Sequence, residues 1–295
     1  MSEKIIDGKK ISLEILEEVK NEAMLLKEKN IVPGLAFILV GEDPASKVYV
    51  SSKAKACEAA GFYSVTERLE ENVSENELIE LIDKFNKDNK IHGILVQLPL
   101  PKGIDENKII QAIDPAKDVD GFHPVNLGKL VAGLKGFIPC TPAGIVELIK
   151  RTGIETSGKN VTVIGRSNIV GKPAANLFLQ KDINSTVTVC HSGTKNLNEF
   201  TQKADILIAA IGKADFVKKE MIKEGCTIID VGINRVEDKT KKSGYRITGD
   251  VDFQDCIDKC SHITPVPGGV GPMTIAMLMR NTLESAKNLL RNENE

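Results

Sequence analysis

The sequence lacks any long apolar run and carries almost no net charge. No stretch of its 295 residues approaches the ~20 apolar residues that a membrane-spanning helix needs. Its 39 basic and 41 acidic side chains leave a formal charge of −2, which does not indicate a surface for nucleic acid or for an anionic membrane. We therefore expect no membrane and no nucleic acid among its partners.

The beginning of the chain lacks the features of a targeting segment. Residues 1–8, Met-Ser-Glu-Lys-Ile-Ile-Asp-Gly, contain neither the apolar core of a secretory signal nor an arginine-rich amphipathic presequence. We therefore expect a cytoplasmic protein.

The sequence also lacks a convincing metal-binding pattern. Its six cysteines are scattered and none forms C-x-x-C, and no second ligand cluster matches Cys256, Cys260 and His262. Packed free thiols are therefore favoured over a zinc site. Asp118 and Asp120 form a carboxylate pair, but no histidine or third acid lies at a matching spacing, and either aspartate could simply form a turn. We expect no metal.

Strand and helix patterns alternate along the chain, which predicts an α/β fold with parallel sheets. The predicted strands cover residues 35–40, 62–69, 91–97, 161–165, 186–190, 205–210 and 227–231. The predicted helices cover residues 9–29, 44–60, 142–151, 173–181 and 274–291, and another follows the capping box Ser74-x-x-Glu77. Residues 99–136 read as turns, 237–244 as an exposed hairpin loop and 265–274 as a rigid loop. The length favours two domains, with a boundary near residue 139.

A glycine loop after a predicted strand indicates an anion site. Val161–Ile164 runs into Gly165, a loop with Arg166, Ser167 and Asn168 follows, and Gly171 and Pro173 suit the start of a helix. Backbone N–H groups and the helix dipole favour an anion there. Serine replaces the middle glycine of G-x-G-x-x-G and the last glycine comes one residue late, so an ordinary strand-to-helix turn is the alternative.

The next predicted strand bears on the identity of a dinucleotide. NAD-binding folds place an acidic residue about 20 positions after the glycines, and residues 189–194, Val-Cys-His-Ser-Gly-Thr, contain none. Arg166 in the glycine loop suits a 2′-phosphate instead, which favours NADP. His191 and Ser192 could also simply turn the chain.

Three polar residues in the first half of the chain could carry chemistry. Tyr49 and Lys53 are four residues apart, so they share one face of a predicted helix. A lysine lying along the surface beside a core tyrosine is the alternative. The pair precedes the glycine loop, whereas in short-chain dehydrogenases it follows the nucleotide motif. Gln97 ends a predicted strand, where α/β sheets place ligands, although it could face solvent at a sheet edge.

Six motifs together carry a resemblance to a known family. They are Tyr49-Val-Ser-Ser-Lys53, Gly93-Ile-Leu-Val-Gln-Leu-Pro-Leu-Pro101, Lys117-Asp-Val-Asp-Gly-Phe122, Pro139-Cys-Thr-Pro142, Gly165-Arg-Ser-Asn-Ile-Val-Gly-Lys-Pro173 and Pro265-Val-Pro-Gly-Gly-Val-Gly-Pro-Met-Thr274. Over essentially its whole length, the chain resembles the bifunctional methylenetetrahydrofolate dehydrogenase/methenyltetrahydrofolate cyclohydrolase family.

The resemblance implies an activity and an architecture. The activity is NADP-dependent oxidation of 5,10-methylenetetrahydrofolate to 5,10-methenyltetrahydrofolate, then hydrolysis to 10-formyltetrahydrofolate, in one-carbon folate interconversion. The architecture is a homodimer in which residues 1–138 with 273–295 form the folate-binding catalytic domain. Residues 139–272 form a Rossmann-like NADP-binding domain, with a cleft between the domains.

The resemblance also implies residue roles. Lys53 performs acid–base work, Tyr49 stacks on the folate, Gln97 holds Lys53, and Asp120 binds the pterin ring. The implied cofactor contacts are Gly165, Arg166, Ser167, Ile169, Gly171, His191, Ser192 and Ile233. The implied substrate contacts are Tyr49, Lys53, Gln97, Leu98, Asp120, Pro267, Gly268 and Gly269.

Two other functions are weighed against this one. A monofunctional NAD-dependent dehydrogenase would have lost the hydrolysis step, and the presence of Lys53 speaks against it. A nucleotide-sensing module without catalysis would not need Tyr49, Lys53, Gln97 and Asp120 together.

Overall fold

The computed structural model describes residues 4–241 and 244–292 and forms two compact units, each with its own parallel sheet. The three-stranded unit contains residues 13–140 and 275–292. The five-stranded unit contains residues 4–12, 141–241 and 244–274. Within the described ranges, no helix is long and apolar enough to cross a bilayer.

The first half of the chain alternates helices and strands. Its elements are α1 (Gly8–Lys27), β1 (Gly34–Val40), α2 (Pro44–Ala59), β2 (Tyr63–Leu69), α3 (Glu75–Lys87), β3 (Gly93–Val96), α4 (Glu106–Ala112) and α5 (Pro124–Val131). The sheet order is β2-β1-β3 and both pairings are parallel. All seven residues of β1 are buried, as expected for the central strand of a parallel sheet covered on both faces.

The capping box predicted for α3 is confirmed. Ser74 Oγ accepts a hydrogen bond from Glu77 N at 3.2 Å, and the Glu77 carboxylate accepts one from Ser74 N at 2.9 Å. The helix then buries one face against the sheet through Leu78, Ile82 and Phe85. Cap and apolar spacing together therefore fix where this helix begins and which side faces the core.

The second half of the chain forms the larger sheet. Its elements are α6 (Cys140–Arg151), β4 (Asn160–Ile164), α7 (Gly171–Phe178), β5 (Thr186–Cys190), α8 (Leu197–Thr201), β6 (Ile206–Ala209), a 3₁₀ turn (Lys219–Met221), β7 (Thr227–Asp230), β8 (Asn234–Glu237), β9 (Tyr245–Thr248), α9 (Phe253–Cys256), β10 (His262–Ile263) and α10 (Val270–Asn292). The sheet order is β10-β7-β6-β4-β5, with every pairing parallel. The chain leaves β4 for β5 on one side and later places β6 on the other, so the loop after β4 lies at a topological switch point.

The predicted α/β fold, the seven predicted strands and the hairpin are confirmed. The observed ends of the strands differ from the predicted ends by at most two residues. In the hairpin loop, Lys242 and Ser243 lie outside the described residues. Two short helices were missed in the region predicted as turns. Asp105 begins α4 by accepting a hydrogen bond from Asn107 N, and His123 begins α5 by accepting one from Val125 N. Both helices are too short to show a clear apolar period.

The last helix also differs from its prediction. It begins at Val270, four residues before the predicted start at 274, so residues 270–274 are helical where a rigid loop was expected. At the other end of the chain, residues 4–12 group with the five-stranded unit. The cause is backbone pairing: Ile6 N donates to Ile263 O and Lys9 N to Gly268 O, each at 2.9 Å.

The cysteines are all buried and all are free thiols, as predicted. Burial raises the pKa of Cys57 and Cys226 to about 12, so these thiols stay protonated and pack as small apolar groups.

Candidate active site

Helix α2 presents two of the predicted site residues on successive turns. Asp43 caps the helix by accepting a hydrogen bond from Ser46 N at 2.7 Å, and Pro44 occupies its first turn. Tyr49 is 42% exposed, whereas Lys53 is only 7% exposed. The exposed ring is available to a ligand, and the lysine is shielded from bulk water.

A hydrogen bond joins Lys53 to the end of the neighbouring strand. Lys53 Nζ donates to Gln97 Oε1 at 3.1 Å. Gln97 Nε2 donates to the carbonyl of Leu98 at 2.7 Å, which orients the amide so that its oxygen faces the lysine. Gln97 N also donates to Ile38 O at 2.9 Å, so the residue continues the β1–β3 ladder. The sheet therefore fixes the position of the lysine amine.

The structure separates the roles of the two neighbouring aspartates. Asp118 is 2% exposed and its carboxylate accepts four hydrogen bonds. The donors are Gly121 N (3.2 Å), Phe122 N (3.1 Å), His123 N (2.8 Å) and Asn126 Nδ2 (2.8 Å). Burial nevertheless raises the pKa of Asp118 to about 6. Asp118 is the turn-forming residue of this pair.

Asp120 lies in a different environment. Its half-buried carboxylate has a pKa that burial raises, while the charge of Lys53 and a hydrogen bond from the Cys140 side chain act to lower it. Asn281 Nδ2 holds the adjoining loops by donating to Val119 O at 2.8 Å and to Ile138 O at 3.1 Å. The hydrogen bond from Lys53 to Gln97 and the action of the Lys53 charge on Asp120 place these three residues in one cluster.

Cys140 is a site neighbour that the sequence reasoning treated only as a packed thiol. The quoted motif Pro139-Cys-Thr-Pro142 contained it, but no spacing rule connects it with Asp120. Among the described residues, no group of three or more His, Cys, Asp or Glu side chains is arranged to hold a metal ion.

The glycine loop of the five-stranded unit follows β4 as predicted. Gly165 has φ +128°, and a Cβ there would lie 2.2 Å from Ala210 O. A Cβ at Gly171 would lie 2.2 Å from Gly165 O, so α7 begins in backbone contact with the end of β4. Only glycine fits at either position, which matches the close approach that dinucleotide-binding loops require.

The predicted use of free N–H groups at the start of α7 needs a correction. Ser167 Oγ accepts hydrogen bonds from Val170 N at 3.2 Å and Gly171 N at 3.3 Å, so both donors are engaged within the loop. Arg166 is exposed beside them. The amides of Val170 and Gly171 therefore serve the loop itself in this structure.

The turn after β5 is closed by its own side chains. His191 N donates to Thr194 Oγ1 at 2.8 Å, and Gly193 N donates to His191 Nδ1 at 3.1 Å. These residues therefore do turn the chain, as the alternative interpretation of the sequence suggested, and Ser192 is exposed.

The other predicted contact residues lie on loops of the five-stranded unit, except Leu98, which is half-buried after β3. Ile169 and Ile233 are 41% and 50% exposed, unusually open for isoleucine. Pro267, Gly268 and Gly269 precede α10, and a Cβ at Gly269 would lie 2.6 Å from Pro265 O.

The five-stranded parallel sheet with a glycine loop at its switch point is the arrangement of dinucleotide-binding α/β proteins. The three-stranded unit adds a lysine held by a glutamine beside a carboxylate, so the protein belongs to the class of two-domain α/β enzymes that bind dinucleotides. Residues 6–120 match the catalytic domain of the tetrahydrofolate dehydrogenase/cyclohydrolase family, and residues 139–290 match its NAD(P)-binding domain. The chain belongs to this family. The predicted family, fold class and bifunctional enzyme are confirmed.

Related proteins align with nearly the whole length of this chain. The Bifunctional protein FolD of Campylobacter hominis is 59% identical over 97% of this chain and 98% of its own length. The crystal structure of the bifunctional FolD enzyme from Campylobacter jejuni has a TM-score of 0.92 at 51% identity, covering 97% of this chain and 99% of that one. The FolD of Trypanosoma brucei, complexed with NADP cofactor and inhibitor, has a TM-score of 0.92 at 39% identity, covering 97% and 98%.

Proposed function

We propose that the protein oxidises 5,10-methylenetetrahydrofolate with NADP and hydrolyses the resulting 5,10-methenyltetrahydrofolate to 10-formyltetrahydrofolate. The observation that carries the proposal is the hydrogen bond from Lys53 to Gln97 beside Asp120, within a family of dehydrogenase/cyclohydrolases. The chemistry that bound NADP supplies is acceptance of the hydride.

Lys53 handles the protons of the hydrolysis. Addition of water to the methenyl carbon requires loss of a proton, and ring opening requires delivery of one to nitrogen. An amine can do both by passing between its neutral and protonated forms. Gln97 orients this amine without adding a charge, and burial at 7% exposure keeps it away from bulk water.

The other proposed substrate contacts bind the folate. Asp120 accepts hydrogen bonds from the amino-pyrimidine edge of the pterin, because a carboxylate can accept from two adjacent N–H donors. The exposed ring of Tyr49 stacks on the folate, and Leu98 also contacts the substrate. The segment Pro267, Gly268 and Gly269 also contributes to substrate binding.

The cofactor is NADP, as in the Trypanosoma brucei relative. Arg166 pairs with its 2′-phosphate, and the glycines at 165 and 171 allow the close backbone approach. The other proposed cofactor contacts are Ser167, Ile169, His191, Ser192 and Ile233.

Separate measurement of two products tests the proposal. The protein is incubated with methylenetetrahydrofolate and NADP, and methenyl and formyl products are followed independently. Formation of both, with hydrolysis faster than the spontaneous background, is the expected result. Methenyl product without enzymic hydrolysis would support the monofunctional dehydrogenase instead, and binding of NADP without either product would support the sensing module.

We also propose that the protein is a cytoplasmic homodimer that works without metal and binds no nucleic acid. The support is the family membership, the formal charge of −2 and, in the described part of the chain, the lack of a three-residue metal cluster. Molar mass in solution, and activity in the presence of a chelator, test the dimer and the metal independence.

A further inference from the structure

Two buried aspartates lie at the carboxyl ends of strands in the five-stranded unit, and the sequence reasoning did not single them out. Asp230 is the last residue of β7 and is 3% exposed. Asp250 follows the β8–β9 hairpin and is 0% exposed. Buried carboxylates are costly unless hydrogen bonds compensate them, so their partners explain why they are there.

Asp250 is the anchor of the loop after β6. Its carboxylate accepts hydrogen bonds from three consecutive backbone N–H groups, those of Ile211 (2.7 Å), Gly212 (3.0 Å) and Lys213 (2.9 Å). Asn234 Nδ2, at the start of β8, donates to the same carboxylate at 2.9 Å. One side chain therefore connects residues 211–213 with the beginning of the hairpin.

Asp230 in turn holds Asp250 in place. Its carboxylate accepts from Gly232 N (2.9 Å), Asp250 N (2.8 Å) and Val251 N (3.0 Å). The fit leaves no spare room, because a Cβ at Gly232 would lie 2.3 Å from Asp250 Oδ1 and one at Gly249 would lie 1.8 Å from Asp230 Oδ2. The two carboxylates and the two glycines thus form one tightly packed tether, which we call the Asp230–Asp250 tether.

The Asp230–Asp250 tether holds the chain on both sides of a residue that faces solvent. Ile233 is 50% exposed, while Gly232 before it is bound to Asp230 and Asn234 after it is bound to Asp250. An exposed isoleucine between two fixed neighbours has a defined direction without being packed into the core. It also lies after the carboxyl end of β7, the edge where open α/β sheets bind ligands.

We propose that Asp250, held by Asp230, is a positioning residue for NADP: it fixes residues 211–213 and 232–234 so that Ile233 meets the cofactor. The inference rests on the proposed contact between Ile233 and NADP. Asp250 acts through the loops and touches neither substrate nor cofactor.

The Asp250→Asn variant tests this role. An amide would turn an N–H group towards donors that now meet a carboxylate oxygen, so the loops lose their common acceptor. We expect the dissociation constant for NADP, measured by equilibrium titration, to rise at least about tenfold, the size of one lost charged hydrogen bond. Hydrolysis of added methenyltetrahydrofolate needs no NADP. Its rate should stay within about twofold of wild type, because Asp250 forms no hydrogen bond with Lys53, Gln97 or Asp120.

The Asp205→Asn variant is the matched control. Asp205 also accepts a backbone hydrogen bond, from Asn160 N at 2.7 Å, and pairs with Lys223, but it lies at the amino ends of β4 and β6. We expect unchanged NADP affinity. An equal loss of affinity in both variants, or a parallel fall of methenyl hydrolysis in Asp250→Asn, would mean general weakening of the unit and overturn the proposal.

A milder variant, Asn234→Ala, decides the question if Asp250→Asn does not fold. It removes one of the four donors of Asp250 and should weaken NADP binding about three- to tenfold. Unchanged affinity in Asn234→Ala contradicts the proposal.

If Ile233→Ala weakens NADP binding while Asp250→Asn does not, the Ile233 contact stands and the positioning role is wrong. A wild-type protein that fails to bind NADP or to hydrolyse methenyltetrahydrofolate would instead refute the proposed function.

Discussion

The pair Asp118 and Asp120 in the three-stranded unit differs from the pair Asp230 and Asp250 in the five-stranded unit. In the first pair, four protein donors engage Asp118, while Asp120 lies beside Lys53 and Cys140. In the second pair, protein donors engage both carboxylates. The difference teaches that a buried carboxylate can serve backbone donors or neighbouring side chains, which residue spacing alone cannot show.

The largest effect should come from Lys53, which lies beside Asp120. We expect Lys53→Met to lower methenyl hydrolysis by about 10²- to 10⁴-fold, the usual cost of losing a general acid–base group. Hydride transfer moves no proton, so dehydrogenase activity should survive in part and methenyltetrahydrofolate should accumulate. Separate assays of the two steps check this.

Lys117 provides the matched control for Lys53. Both lysines are 7% exposed, but Lys117 Nζ donates to Phe85 O at 3.0 Å and to Asp88 O at 2.8 Å, at the end of α3. Lys117→Met should lower stability and leave the rate of hydrolysis by folded protein close to wild type. Near wild-type hydrolysis in Lys53→Met would show that another group carries the proton.

The two aspartates of the first pair should respond differently to the same substitution. Asp120→Asn should weaken folate binding by about 10- to 150-fold, as for a lost charged hydrogen bond, and leave NADP affinity and stability unchanged. Asp118→Asn should instead lower the free energy of unfolding by about 1–3 kcal/mol, because backbone donors lose their acceptor. Denaturant titration and folate binding distinguish the two. Loss of wild-type activity on addition of a chelator would contradict this division and indicate a metal at the pair.

In the five-stranded unit, Arg166 is exposed and is the proposed contact for the 2′-phosphate. Arg166→Ala should weaken NADP binding by about 10- to 150-fold and NAD binding far less, because only NADP carries the 2′-phosphate. Lys172→Ala is the control, since this exposed lysine in the first turn of α7 donates to Asn168 Oδ1 at 2.7 Å. Equal losses for NADP and NAD in Arg166→Ala would refute the phosphate contact.

The last comparison concerns how the free energy of unfolding depends on pH. Burial raises the pKa of Asp230 to about 7, with the neighbouring charge of Asp250 adding to the shift and backbone donors opposing it. Between about pH 4 and 7 the folded protein then holds a proton that the unfolded chain has released. The free energy of unfolding should therefore fall as pH rises, by up to about 1.4 kcal/mol per pH unit.

The Asp230→Asn variant should show a smaller decrease across this pH range. Asp118 should contribute to the same fall in the free energy of unfolding only up to about pH 6, because its pKa is raised to about 6. Asp118→Asn should remove that contribution. Denaturant titrations at several pH values measure both slopes. Identical slopes in wild type and Asp230→Asn would show that Asp230 is ionised throughout.

Strong local signals made much of the fold predictable. The apolar run of β1, the capping box of α3 and the spacing of Leu78, Ile82 and Phe85 each depend on neighbouring residues, and each is confirmed. Helices α4 and α5 were missed because each is only two turns long and is stabilised by its cap and its surroundings.

The sequence by itself determined the family, the α/β class, the order of the strands along the chain and the glycine loop after β4. These follow from local patterns and from motifs in register. Only the tertiary structure decided that backbone donors engage Asp118 while Asp120 lies beside Lys53 and Cys140, that Ser167 takes up amides of the glycine loop, and that Asp230 and Asp250 form a tether. The physical reason is that hydrogen-bond acceptors are shared between segments far apart in the chain, as between Asp250 and the loop at residues 211–213, and residue order does not record those contacts.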